Sequence, residues 1–229
     1  MARSPYSSVQ EGVQSSWKSP SADRPGKRAA LLLNLVLIVM GAIGTAAVIR
    51  SSGIRGYIFY TNVSNLMGLV SAVLYTVSLL RESRGGQRPP HWICVFRYMS
   101  ACVLTVTFLV VAFVLAPMVE DGLRYFLFSG QYLFTHFLCP VLTIISVCFF
   151  ERDWKATASW TLAGVLPTAI YAGVTIPLNA LYILHGPYPF LLVHEQPVRM
   201  SVLWCVVIVG GAYVAALILW LIKRIGDRR

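Results

Sequence analysis

Apolar and polar residues separate along this chain into long blocks. Apolar runs cover 29–49, 57–80, 93–116, 128–150, 158–184 and 199–222. Each is close to the ~20 residues that an α-helix needs to cross a bilayer. The connections between them are short. This pattern predicts an all-α integral membrane fold, a single six-helix transmembrane bundle over 29–224, because helices satisfy their own backbone hydrogen bonds in lipid. Residues 1–28 are polar and rich in Ser and Pro, and read as a disordered basic cytoplasmic tail. Residues 225–229 form a second, short basic tail. The first apolar run is long enough to be a retained anchor and not a cleaved signal peptide.

Composition agrees with this reading. Hydrophobic residues make up 57% of the chain and charged ones 12%, where a soluble domain is about one quarter charged. The mean hydropathy is +0.68. A net charge of +10 raises the question of nucleic acid, and the positions of the charges answer it. Of the 19 Lys and Arg residues, Arg50, Arg55, Arg124 and Arg199 fall on one side of the predicted bundle, and the other fifteen fall on the side that holds both termini. That is the positive-inside asymmetry of a multi-pass cell-membrane protein with cytoplasmic termini. Basic residues at that surface favour anionic lipid headgroups. Membrane lipids are therefore the expected partners, membrane proteins are further ones, and nucleic acid is excluded.

The five cysteines (Cys94, Cys102, Cys139, Cys148 and Cys205) lie in or beside the spans without a CxxC pair, and read as small packing residues. Polar side chains are more informative. Thr61, Asn62, Ser64, Asn65, Gln131, Tyr132, Thr135, His136, Thr175, Asn179 and Tyr182 all fall in the half of the membrane opposite the termini, which predicts a polar cavity there. Thr61, Ser64, Asn65 and Gly68 share one face of the second helix at i, i+3, i+4 and i+7. Helix packing also explains such a stripe, since membrane helices approach one another on small and hydroxylated residues.

His136 is the one histidine well inside a span, and intramembrane ionisable groups usually face the bundle interior or an aqueous cavity. Pro140, four residues later, has no N–H for the His136 carbonyl, so a bend is expected there. A neutral histidine hydrogen-bonded between two helices is the plainer account. Asn179, near the end of the fifth span, reads as a cap on a helix interrupted by Pro167 and Pro177, or as a donor into the cavity. Tyr188, in the rigid segment Pro187-Tyr188-Pro189-Phe190, reads as part of a lid or an interfacial anchor. His136, His185, His194 and Glu195 are acceptable metal-ligand types, but their spacing matches no metal motif. No metal and no cofactor is expected.

Phe59-Tyr60-Thr61-Asn62-Val63-Ser64-Asn65-Leu66, His136 with Pro140, and Asn179 with Tyr188-Pro189-Phe190 resemble, in order, the prokaryotic six-transmembrane family called Pr6Pr. That family is similar to the androgen-induced proteins, whose members hydrolyse fatty acid esters of hydroxy fatty acids with a threonine nucleophile and a histidine partner. By position, the resemblance implies that Thr61 is the nucleophile and His136 the base of a lipid-ester hydrolase. Asn65, Asn179 and Tyr188 are the substrate-binding or oxyanion candidates. A non-catalytic lipid-binding or scaffold protein is the alternative, with Thr61 and His136 only packing helices. A small-molecule transporter is the third reading, disfavoured because no Asp or Glu falls inside the six runs.

Overall fold

A computed structural model describes residues 26–227, so the predicted tail over 1–28 lies almost wholly outside the described residues, as do the last two positions of the second tail. Every regular element among the described residues is helical. Helix α1 spans Lys27–Ser52 and continues through a 3-10 turn to Ile58. It is followed by α2 (Tyr60–Ser83), α3 (His91–Val110), a short α4 (Gly122–Phe128), α5 (Gly130–Phe150), α6 (Trp160–Ala180) and α7 (Val198–Gly226). All but α4 are long and apolar enough to cross a membrane, which makes the chain a multi-pass membrane protein. Large apolar side chains point outward accordingly. On α6, Leu162, Leu166, Ile170 and Val174 recur every fourth residue, and each is more than half exposed.

Helix α3 is the central post, packed against α2, α5, α6 and α7, while α1 closes on α2 and α5. Lipid tails are as apolar as leucine, so helix association in a bilayer depends on close packing and interhelical hydrogen bonds. Both occur here. Ser64 and Thr107 hydroxyls join α2 to α3 at 2.7 Å, and the Tyr98 hydroxyl donates to the Ala216 carbonyl of α7 at 2.6 Å.

The chain enters at Lys27 and leaves at Gly226 on one end of the bundle, here called proximal; the opposite end is distal. The proximal end holds a charged core. Arg97 falls at the same end as the termini, as its place in the sequence indicated, and Glu151 lies one residue past the end of α5. Arg97 and Glu151 form an ion pair at 3.0 Å with both side chains 0% exposed. Glu151 Oε1 also accepts from Ser146 Oγ at 2.8 Å and Asn34 Nδ2 at 3.1 Å. Arg97 Nη1 reaches Ser71 Oγ on α2. Lys223, at the same end, is buried on α7. It donates to the Glu151 carbonyl at 2.7 Å and lies 4.0 Å from the centroid of the Trp154 ring. A buried charge persists only when paired and hydrogen-bonded, and here five spans supply the partners.

The element bounds differ from the apolar runs chiefly at the fifth. Helix α6 stops at Ala180, and the run's last residues to Leu184 form a turn. Tyr182 adopts a left-handed φ of 56° in that turn. Asn179, next to last in the helix, donates its Nδ2 to the Leu184 carbonyl of that turn at 2.9 Å. Pro167 and Pro177 both lie within α6, which continues past them.

The charged core generates the first prediction. Arg97→Ala leaves the Glu151 carboxylate buried without its cation, and is expected to cost about 3–5 kcal/mol of stability. Replacing both partners by apolar residues of similar volume should cost clearly less. Thermal or denaturant unfolding in detergent measures this, and equal losses in the single and paired variants would refute the reading.

Candidate functional site at the distal end

The first turns of α2 and α5 form the site, and each is shaped by local sequence. Pro140 cannot donate to the carbonyl of His136 and its ring crowds that carbonyl. The helix responds by widening into a π-helical turn over Leu133–Leu138, which carries Thr135 and His136 into the bundle. Such turns are common where a helix presents functional side chains. In α2, Thr61 lies one residue inside the helix start at Tyr60. Asn65 fastens the two together, its Nδ2 donating to the Thr61 carbonyl at 2.8 Å and the Thr135 carbonyl at 2.9 Å.

Thr61, His136 and Tyr188 line one cavity of about 440 Å³, together with Ser51, Ser52, Asn62, Gln131 and Tyr132. Among the described residues its lining contains no Asp, Glu, Lys or Arg. The His136 ring is held on two sides. Its Nδ1 lies 2.8 Å from the Phe126 carbonyl of α4, and Tyr132 stacks on its face with centroids 5.1 Å apart. A carbonyl only accepts, so Nδ1 carries the proton in the neutral ring and Nε2 keeps its lone pair. This is the orientation a histidine base requires.

Tyr188 comes from the loop between α6 and α7, 127 residues along the chain from Thr61. Its hydroxyl accepts from the Thr61 amide at 3.3 Å and lies 3.4 Å from Thr61 Oγ1. Burial raises the Tyr188 pKa above the usual phenol value, so the group is neutral and can donate. Its ring stacks on Phe190 and meets Phe59 edge-on, so the Pro-Tyr-Pro-Phe segment sits on the cavity as a packed lid.

Beyond Tyr188 the walls change character. A narrow apolar void of about 60 Å³ runs between α3, α6 and α7 past Val110, Ile176, Trp204 and Ile208. Thr61, Leu115 and Tyr188 line both spaces and form the boundary between them.

Of the residues singled out from sequence, Thr61, His136 and Tyr188 therefore share one cavity. The other two are engaged elsewhere. Both Asn65 amide hydrogens are committed to backbone carbonyls. Asn179 lines a separate cleft with His185, His194 and Glu195, and its Oδ1 accepts from the Val193 amide at 2.9 Å, so it anchors the loop. Among the described residues no group of three or more His, Cys, Asp or Glu side chains is placed to hold a metal ion. Ser51, Ser52 and the Phe126 carbonyl were not foreseen. The serines sat at the end of an apolar run, and a backbone partner leaves no mark in a sequence. Compared with known protein families, curated proteins and solved structures, the chain matches none.

The lid generates the second prediction. Tyr188→Phe keeps the ring and removes the hydroxyl, so the bundle should stay folded while amide hydrogen exchange rises at Thr61 and across 187–191. Unchanged exchange at these positions would show that the hydroxyl does not hold the lid.

Proposed function

We propose that this protein is an intramembrane lipid-ester hydrolase of the cell membrane, with Thr61 as nucleophile and His136 as general base. The observation that supports the reading most is the single cavity in which a threonine hydroxyl, a histidine oriented through Nδ1 and a tyrosine hydroxyl lie at the edge of an apolar void. The resemblance to the Pr6Pr and androgen-induced families belongs to the same proposal.

A threonine hydroxyl is a weak nucleophile and needs a base to take its proton. In the proposed reaction Thr61 Oγ1 attacks the ester carbonyl carbon as its proton passes to His136 Nε2. The tetrahedral oxyanion accepts a hydrogen bond from Tyr188, which has a hydrogen to give where Asn65 has both committed. Collapse breaks the ester C–O bond, and His136 returns the proton to the leaving alkoxide. Water, deprotonated by His136, then attacks the acyl-threonine carbonyl, the C–Oγ1 bond breaks, and His136 returns the proton to Thr61 Oγ1 as the fatty acid leaves. The acyl chain points from the polar cavity towards the apolar walls beyond Tyr188, where α3, α6 and α7 must part to admit it, and the alcohol portion lies in the polar cavity.

One observation favours a second reading, lipid binding without turnover. The nearest recorded partner of Thr61 Oγ1 is Tyr188 and not His136. In that case both residues serve the packing of helices and lid.

Purified wild type should react with a lipophilic fluorophosphonate and hydrolyse medium-chain acyl esters. Thr61→Ala and His136→Ala should each lower turnover at least about a hundredfold, in line with the contribution of a positioned base, with unfolding midpoints near that of wild type. A folded wild type that neither labels nor turns over would establish the lipid-binding reading instead.

A further inference from the structure

The hydrolase proposal does not use the turn between α2 and α3 at the proximal end. An open groove of about 560 Å³ lies there, lined by Arg81, Arg84, Arg88, Pro90, Trp92 and Ile93. All three arginines are exposed, and among the described residues none has an ion-pair partner. The turn's one acid does not balance them. Glu82 is 3% exposed and is bonded on the opposite side of the helix to Lys27 at 3.1 Å.

The turn has a defined, hydrogen-bonded shape. Gly85 takes a φ of +86°, and a Cβ on Gly86 would fall 2.8 Å from the Arg81 carbonyl, so glycine is required at both positions. The Gly86 amide donates to that carbonyl at 2.9 Å and the Gly85 amide to the Glu82 carbonyl at 3.1 Å. This closure returns Arg88 to the groove that Arg81 and Arg84 line. Pro90 caps the 20-residue α3, whose amino terminus adds the positive end of its dipole to the same groove. On the apolar side stands Trp92, 59% exposed at the first turn of a membrane-spanning helix, where indoles mark the boundary between lipid and water.

Three unpaired guanidinium groups, a helix amino terminus and an adjoining indole suit a ligand with an anionic phosphate on one side and an apolar body on the other. We infer that the α2–α3 groove binds the headgroup of an anionic phospholipid, its phosphate held by Arg81, Arg84 and Arg88 and its glycerol and upper acyl chains lying along Trp92 and Ile93. Guanidinium forks match phosphate oxygens in pairs. A zwitterionic lipid also carries an ammonium group, which the arginines repel, so the site selects for net negative charge. The inference is independent of whether the distal site turns over esters.

The test titrates full-length detergent-solubilised protein with short-chain phosphatidylglycerol, with phosphatidylcholine of the same chain length, and with inorganic phosphate, reading occupancy by native mass spectrometry. Phosphatidylglycerol should bind saturably and at least about tenfold more tightly than either other ligand. The variant R81Q/R84Q/R88Q should lose that preference. R152Q/K155Q/R224Q removes the same charge from exposed positions at the same end and should retain it. Trp92→Ala should weaken the lipid and leave inorganic phosphate unchanged. Equal loss in the two triple variants would overturn the site in favour of general surface charge. Equal binding of phosphatidylcholine, or of free phosphate, would overturn the lipid.

Discussion

The Glu151 carboxylate organises this bundle. A single oxygen, Oε1, receives the guanidinium of Arg97 from α3, the amide of Asn34 from α1 and the hydroxyl of Ser146 from the end of α5. The backbone carbonyl of the same residue holds Lys223 of α7. Removing these groups from water costs several kcal/mol per ion, so the pair is not a simple gain in stability. What it enforces is arrangement. Apolar faces slide past one another in lipid with little penalty, whereas an arginine and a glutamate without each other are intolerable there. The register of four spans is thereby tied to one point.

Irregular backbone occurs at both ends: α5 closes in a π-helical turn over Ser146–Phe150 beside the charged core, and the rest lies at the distal end. Helix α3 finishes in a π-helical turn and a 3-10 turn, α1 in a 3-10 turn, and α5 begins with the π-helical turn set by Pro140. Non-helical backbone at membrane depth survives only where protein or a cavity satisfies it. Here the Asn65 amide, the Tyr188 hydroxyl and the packed lid do so, and the cavity they border is the place where polar side chains meet a potential ligand.

The sequence foretold these features unevenly, for physical reasons. The six spans were legible because bilayer thickness imposes a length that few soluble segments share, and all six are helices. Thr61 and His136 were legible as a pair because polar groups are scarce at that depth, and the register of α2 and α5 does bring both to one cavity. A local departure before Pro140 was legible from its missing N–H, and it takes the form of a π-helical turn. The burial of Arg97, Glu151 and Lys223 was not legible because each sits near the margin of an apolar run, where a charge ordinarily means solvent. Only the way the neighbouring helices close over them reveals otherwise. The engagement of Asn65 and the reach of Tyr188 depend on partners 70 and 127 residues away, and local pattern contains no such information.

Glu151 lies one residue past the last turn of α5, so the charged core occupies the proximal margin of the bundle. The two ends are kept apart along α2. Polar side chains on α2 fall into two groups, Thr61, Ser64 and Asn65 at the distal end and Ser71, Tyr75 and Thr76 towards the charged core. Between Ser64 and Ser71 the helix rises about 10 Å. Within that interval Gly68 lies so close to Leu104 of α3 that a Cβ would come within 2.9 Å of the leucine Cδ1. This apolar contact separates a neutral polar cavity from a charged core. A path from one to the other requires α2 and α3 to part, which the Ser64–Thr107 and Ser71–Arg97 bonds on either side of the contact oppose. The two polar regions are thus separate, a charged core that ties the spans together and a neutral cavity at the distal end.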